Sequence, residues 1–280
     1  MARVRQAAQD KPAYRIYDRK GMEVSYGKMI RRLAEADVVL FGELHGNPLV
    51  HWLERETARS LFRRRKENLV IGLEMFETDD QIIIDEYMAG LITHPHFAAE
   101  AKLWPSYEND YRPLLDFARQ KSIRLVATNC PRRYAHMVAH RGMAVLEALP
   151  EEAKRWLAPL PVHVDPSTPG YGDLAALGLA TPMAKLSLME AQALKDATMA
   201  YSILLHRRPG SLFLHFNGDF HSRGFGGIFR YLRKASPELG IMVISSVAGD
   251  PLDFGAGYRG LADFVLIVAA GLTPDTSDKE

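Results

Sequence analysis

The sequence predicts an α/β fold: a mostly parallel sheet with helices on both faces and a helical insertion. Three observations predict it. Apolar, largely β-branched runs recur at VVLF (38–41), LVIGL (69–73), SIRLVATN (122–129), SLFLHF (211–216), IMVISSV (241–247) and DFVLIV (263–268). They are near-continuously apolar rather than alternating, as strands covered on both faces must be. Segments with helical spacing of apolar residues lie between them, the order that β-α-β crossovers produce. The chain has 280 residues, 47% of them hydrophobic, enough to bury one sizeable core.

Taken in order, Tyr14 to Tyr17 and Met22 to Val24 read as a hairpin around the turn DRKG, and Ser25 caps a short helix to about Ala34. The strand at Val38 follows. Pro48 to Arg65 carries Leu49, Trp52, Leu53, Leu61 and Phe62 at partly helical spacing. After the strand Leu69 to Leu73 come a helix from about Asp80 to Met88 and a Trp-, Tyr- and Pro-rich stretch ending in a helix before the strand at 122–129. Helices are expected over Tyr134 to Leu149 and Glu151 to Leu157. PLPVHVDPSTPGYGDL (159–174) reads as an excursion or lid, because clustered prolines and glycines break both periodicities. A long helix runs from about Ser187 to His206, and a shorter one from Ile228 to Lys234 separates the last strands. The expectation is one domain over 1–280, with an inserted helical or lid region at about 131–186 and a flexible tail at 272–280.

Charge and cysteine usage exclude several classes. With 35 Lys+Arg against 34 Asp+Glu there is no basic face of the kind nucleic acid requires. RRRK at 63–66 reads as the solvated end of a helix. The single Cys130 rules out an internal disulfide framework, a cysteine-pair zinc site and covalent haem, and reads as a buried structural thiol. No signal-peptide core and no run of about 20 apolar residues is present, so a cytoplasmic location without a transmembrane segment is expected.

Chemistry gathers where strands end. In open parallel sheets ligands bind beyond the carboxyl ends of the strands. The first long strand delivers Glu43 and His45, the second Glu74 (which could instead lie within the strand), the third Asn129, and the fourth Asn217, Asp219 and His221. These residue types bind divalent metals or run acid/base chemistry. GELH (42–45) and GDFH (218–221) share the form Gly-x-x-His, each directly after an apolar strand. Two matched histidines with Glu43 and Glu74 would give three or four ligands. Each residue also has an ordinary reading: a carboxylate capping a helix or paired with arginine, a hydrogen-bonded histidine, a turn asparagine. His215, inside a strand, reads as a satisfied core histidine, and no pattern places His51 in the cleft. GAGYRG (255–260) spells a dinucleotide fingerprint but precedes a strand rather than a helix. HSRGFGG (221–227) opens a helix with glycines, and Arg223 adds charge, an arrangement that can hold a phosphate, a carboxylate or a haem propionate.

ADVVLFGELHGNP, GLEMF with its trailing Asp-Asp-Gln, YRPLLDFAR, ATNCPRR, KDATMA and NGDFHSRGFGG, in that order, resemble the ChaN-type haem-binding uptake proteins of the Tiki superfamily, over nearly the whole chain. The resemblance implies haem as cofactor, held between protomers of a homodimer, and a role in iron or haem uptake. It places Glu43, His45, Glu74 and His221 in the site, with Asn129 and Asp196 beside them. Tyr107, Tyr111 and Tyr171 lie in segments that would wall a haem and offer an axial ligand. Relatives in the superfamily include erythromycin esterases with an active-site histidine and metal-dependent proteases with paired Gly-x-x-His motifs. They imply the alternative of a hydrolase of ester, amide or phosphoester bonds, in which His45, Glu74 and His221 hold a divalent metal ion or orient a water and Glu43 acts as general base. The family's envelope lipoproteins carry a lipobox leader that has no match here.

Overall fold

The computed structural model describes residues 11–172 and 182–272. Seven strands form one sheet: β1 (Tyr14–Asp18), β2 (Val38–Glu43), β3 (Leu69–Glu77), β4 (Arg124–Asn129), β5 (Leu212–Gly218), β6 (Ile241–Gly249) and β7 (Phe264–Ala269). Their spatial order is β1-β7-β6-β2-β5-β3-β4. Every pairing is parallel except β1 with β7.

The helices are α1 (Tyr26–Leu33), α2 (Pro48–Arg65), α3 (Gln81–Met88), α4 (His94–Glu100), α5 (Tyr107–Asp110), α6 (Arg112–Gln120), α7 (Arg132–Arg141), α8 (Glu151–Lys154), α9 (Pro182–His206) and α10 (Gly227–Ala235). Side chains alternate across β2. Val39 and Phe41 join a core with Val50, Leu53 and Leu61 of α2 and Leu115 of α6. Val38 and Leu40 join another with Met199 and Ile203 of α9 and Ile228 and Leu232 of α10. Each fully buried Leu, Ile or Phe contributes roughly 2 kcal/mol, so both layers are held by apolar burial. The helix that follows β2 therefore lies on one face and the helix that follows β5 on the other. The loops after these two neighbouring strands part at their carboxyl ends, where ligands bind in open parallel sheets.

Local structure departs from the sequence reading at several points. Pro48–Arg65 is one unbroken helix, because Asn47 accepts from the Leu49 and Val50 N–H groups and proline occupies the first turn. Met22 to Val24 contributes only a bridge, Tyr17 to Glu23, while β1 takes its strand partner from β7. The helix expected over Tyr134 to Leu149 stops at Arg141, where Gly142 turns to φ +78°, and a 3₁₀ stretch, Met143–Ala148, follows. The helix expected over Glu151 to Leu157 is shortened to Glu151–Lys154. β3 runs on to Glu77, so Glu74 lies within the strand. Among the described residues from 131 onward, Tyr134, Leu146, Leu157 and Tyr171 pack against Ala191, Leu194 and Ala197 of α9. Residues 173–181 of that region and 273–280 of the tail lie outside the described residues.

Candidate functional site

Strand β3 pairs with β5 as far as Leu73 and Phe216, and its register against β4 shifts between Leu73 and Glu77. Such an irregularity re-aims a side chain. Here it lets the Glu74 carboxylate take the place of the interrupted ladder: Glu74 Oε2 accepts from the Gly218 N–H at 2.6 Å. Glu74 Oε1 lies 3.0 Å from His221 Nε2. On the opposite side of the ring, His221 Nδ1 lies 2.5 Å from Asp196 Oδ1, on α9. The Tyr171 hydroxyl donates to Asp196 Oδ2 at 2.7 Å. Two carboxylates from distant chain segments thus flank one imidazole, with Tyr171 behind Asp196, and Glu74, Asp196 and His221 are all buried.

Burial disfavours the charged imidazole, but the charges of Glu74 and Asp196 outweigh it and push the His221 pKa up to about 10. Burial also penalises the Glu74 carboxylate, yet the His221 charge and hydrogen bond bring it down to about 2. Asp196 is raised, because burial outweighs its bonds to His221 and Tyr171. The ring is therefore an imidazolium with both N–H groups directed at carboxylates. The Gln192 amide nitrogen, one turn before Asp196 on α9, lies 2.8 Å from Nδ1; against a charged ring only the turned-over amide, with its oxygen toward the ring, could accept.

The second Gly-x-x-His unit faces the first across Gly218. His45 Nδ1 lies 2.7 Å from Glu43 Oε1, which also accepts from the Tyr111 hydroxyl at 2.8 Å. The Glu43 side chain is fully buried, whereas that of His45 is 52% exposed. Burial lowers the His45 pKa, but the Glu43 hydrogen bond and charge reverse this and leave it raised. Glu43 is lowered: its bond to His45 and the nearby His51 overcome the cost of burial. The Trp104 ring stands edge-on to His45 at 5.1 Å and limits its rotation. A Cβ on Gly218 would fall 2.7 Å from His45 Nε2, so only glycine lets the imidazole approach the end of β5.

The remaining expected residues divide. Tyr111 and Tyr171 reach the site, but their hydroxyls are buried donors to Glu43 and Asp196, and burial raises both phenol pKa values. Tyr107 lies among Phe76, Phe97 and His94 with a hydroxyl that has no hydrogen-bond partner. Asn129 ends β4 with Oδ1 buried and unpartnered. The Arg223 guanidinium lies over the Phe220 ring at 5.3 Å. Asp219 turns away to accept from Ser245 at 2.6 Å, and burial lifts its pKa to about 6. His215 bonds Thr128 and Asn217 inside the sheet, the core role read from its place in a strand. Of the expected metal ligands, both nitrogens of His221 face carboxylates, so the ring as placed has no lone pair for an ion. Among the described residues, the ligand atoms that converge belong to Glu43, His51 and Glu54.

Sequence reasoning missed His51, Glu54, Asp110 and Gln192. The spacing of His51 and Glu54, three apart just after the Asn47 cap, was the available signal, since it puts both on one face of α2.

Among the described residues no helix is long and apolar enough to cross a membrane. No curated protein matches the chain in sequence. Similar solved structures include ChaN of Campylobacter jejuni, 18% identical with a TM-score of 0.72, over 93% of this chain and 98% of that one. The type III effector HopBA1 is 13% identical with a TM-score of 0.52, over 86% and 91%. An erythromycin esterase, EreC, aligns at 13% identity and a TM-score of 0.46, over 92% and 83%. Residues 29–232 match the family model described as haem-binding uptake, Tiki superfamily, ChaN. The chain belongs to the ChaN family of haem-binding uptake proteins in the Tiki superfamily.

Proposed function

We propose that this chain binds haem beyond the carboxyl ends of the parallel strands, with His45 as its protein ligand, and that it serves iron or haem uptake. The observation that carries the reading is the family match over residues 29–232, together with a fold like that of the Campylobacter jejuni protein, which binds haem cofacially. The donor set supports one ligand. Tyr111 and Tyr171 are committed to carboxylates, and Tyr107 is enclosed by rings. His45 is half exposed, and in its neutral form the Nδ1–H is held by Glu43, which puts the lone pair on Nε2. A carboxylate on the far nitrogen is the usual support for a metal-binding histidine, because it fixes the tautomer and raises basicity. A bound haem would supply an iron centre able to accept that nitrogen.

Hemin titration of the purified protein tests this. The expected result is a saturable Soret band that weakens with His45→Ala and persists with Tyr111→Phe. An unchanged band in His45→Ala removes the ligand assignment, and the absence of saturation removes the haem reading. Pairing of two chains around facing haems belongs to the same reading and predicts that hemin doubles the 31.4 kDa mass in solution.

A hydrolase is a second reading, favoured by the Glu74–His221–Asp196 arrangement, which haem binding does not require. His45, oriented by Glu43, would take a proton from water, and the His221 imidazolium would stabilise negative charge developing beside it. Glu43, buried behind His45, acts here as an orienting group rather than as the base that meets substrate. A screen of ester, peptide and phosphoester substrates should reveal an activity that His45→Ala lowers by about 10²–10⁴-fold. An activity untouched by that change, or none at all, counts against the reading.

A further inference from the structure

Behind Glu43 lies a polar cluster that neither reading uses. Helix α2 carries His51 and Glu54 one turn apart, 5% and 1% exposed, directly beneath the end of β2. Glu54 Oε2 lies 2.9 Å from His51 Nδ1, and His51 Nε2 lies 3.4 Å from Asp110 Oδ2. Four buried atoms remain without a hydrogen-bond partner: Glu43 Oε2, Glu54 Oε1, His51 Nε2 and Asp110 Oδ2. Buried polar atoms are almost always satisfied; His51 Nε2 and Asp110 Oδ2 at least face each other, so it is Glu43 Oε2 and Glu54 Oε1 that call for a missing partner. One ligand atom from each of Glu43, His51 and Glu54 lies within 4.8 Å of the other two, close enough for a single ion to touch all three.

We infer that Glu43, His51 and Glu54 form a site for a divalent transition-metal ion such as Zn²⁺ or Mn²⁺, separate from the His45, Glu74 and His221 set. Charge is compatible with a dication: with both carboxylates ionised, Glu43 and Glu54 would carry two negative charges, which one such ion cancels. Donor type narrows the class, because an imidazole beside two carboxylates suits Zn²⁺ or Mn²⁺ better than Ca²⁺ or Mg²⁺, which favour all-oxygen sets. A cleft of about 230 Å³, lined by Pro48, His51, Trp52, Arg55, Asn109 and Asp110, borders the His51 and Asp110 edge of the cluster. Bound there, the ion would hold Glu43 from behind and thereby fix the ring of His45.

The test is calorimetric titration of the chelator-treated, haem-free full chain with ZnCl₂ or MnCl₂ alone. One equivalent should bind. Glu54→Gln keeps the side-chain shape and should weaken binding by at least the roughly 10–100-fold that losing a ligand's supporting partner costs, with the circular dichroism spectrum and melting temperature retained. Glu74→Gln, in the neighbouring cluster, should leave binding within a few-fold. If Glu54→Gln does not fold, His51→Asn takes its place. Co²⁺ substitution should give visible bands that this His51 change alters. Absence of binding, equal binding by Glu54→Gln, or loss only in Glu74→Gln overturns the proposal. In the first case the orphan oxygens are satisfied by a proton shared between Glu43 and Glu54. Because no haem is present, the result is independent of the haem reading.

Discussion

The Nδ1 atom of His221 lies 2.5 Å from Asp196 Oδ1, a contact that ties the exit of β5 to the middle of α9. Breaking a buried charge pair from one side leaves an uncompensated charge. Asp196→Asn is therefore expected to destabilise the fold by about 3 kcal/mol in a denaturant titration, and to lower the His221 pKa measured by NMR. An equally stable variant with His221 still protonated at high pH would mean that Glu74 alone holds the charge.

Stability should fall on both sides of a maximum near pH 6.5. His221 is raised from 6.5 to about 10, so its contribution is full below 6.5 and is lost as pH rises through 10. Glu74 is depressed from 4.5 to about 2, so its share is full above 4.5 and is lost as pH falls through 2. His215, buried and neutral, is lowered from 6.5 to about 4, so its share falls away between those values as the unfolded chain takes up the proton. Melting temperature should accordingly decline below 6.5 and again above it toward 10. His215→Gln should flatten the first acid limb; a limb that stays as steep would place its origin elsewhere.

Gly218→Ala would put a methyl group 2.7 Å from His45 Nε2. The ring must move, because the other side of the alanine is the β5 backbone. A stability loss of about 1–3 kcal/mol is expected from overpacking, with hemin affinity falling more than the melting temperature would suggest. Unchanged affinity would show that His45 is not positioned by this contact.

Tyr111→Phe removes the second donor to Glu43 Oε1 while His45 remains on the same oxygen. A loss of about 1–2 kcal/mol is expected, the usual cost when a buried acceptor loses one partner. Chemical denaturation measures it. A variant of wild-type stability would show that His45 alone satisfies Glu43.

The Cys130 thiol is buried, and burial pushes its pKa up to about 12. A thiolate is the reactive form. Native protein at pH 8 is expected to resist thiol reagents and to react only as fast as it unfolds. Rapid labelling under native conditions would show local opening around α7.

Much of the sheet was legible because six of its strands are continuous apolar runs whose burial on both faces leaves little alternative. The paired Gly-x-x-His units were also visible, and their spacing placed Glu43, His45 and His221 at strand exits. Glu74 was harder to place, since its reach to Gly218 depends on a register shift that no local pattern announces. Tyr107, Tyr111 and Tyr171 looked alike as aromatic residues in irregular segments; only packing shows that two meet carboxylates and the third meets rings.

By itself the sequence determined the fold class, the strands and the residue types delivered to one end of the sheet, because those follow from hydrophobic periodicity and from glycines at turns. Tertiary structure alone decided the partners. His221 is an imidazolium because β3 and α9, far apart in the chain, each bring a carboxylate to it. His51 and Glu54 lie under Glu43 because α2 packs across the face of β2. Charge state and ligand geometry depend on through-space distances of a few ångströms, and those exist only once the helices have closed over the sheet.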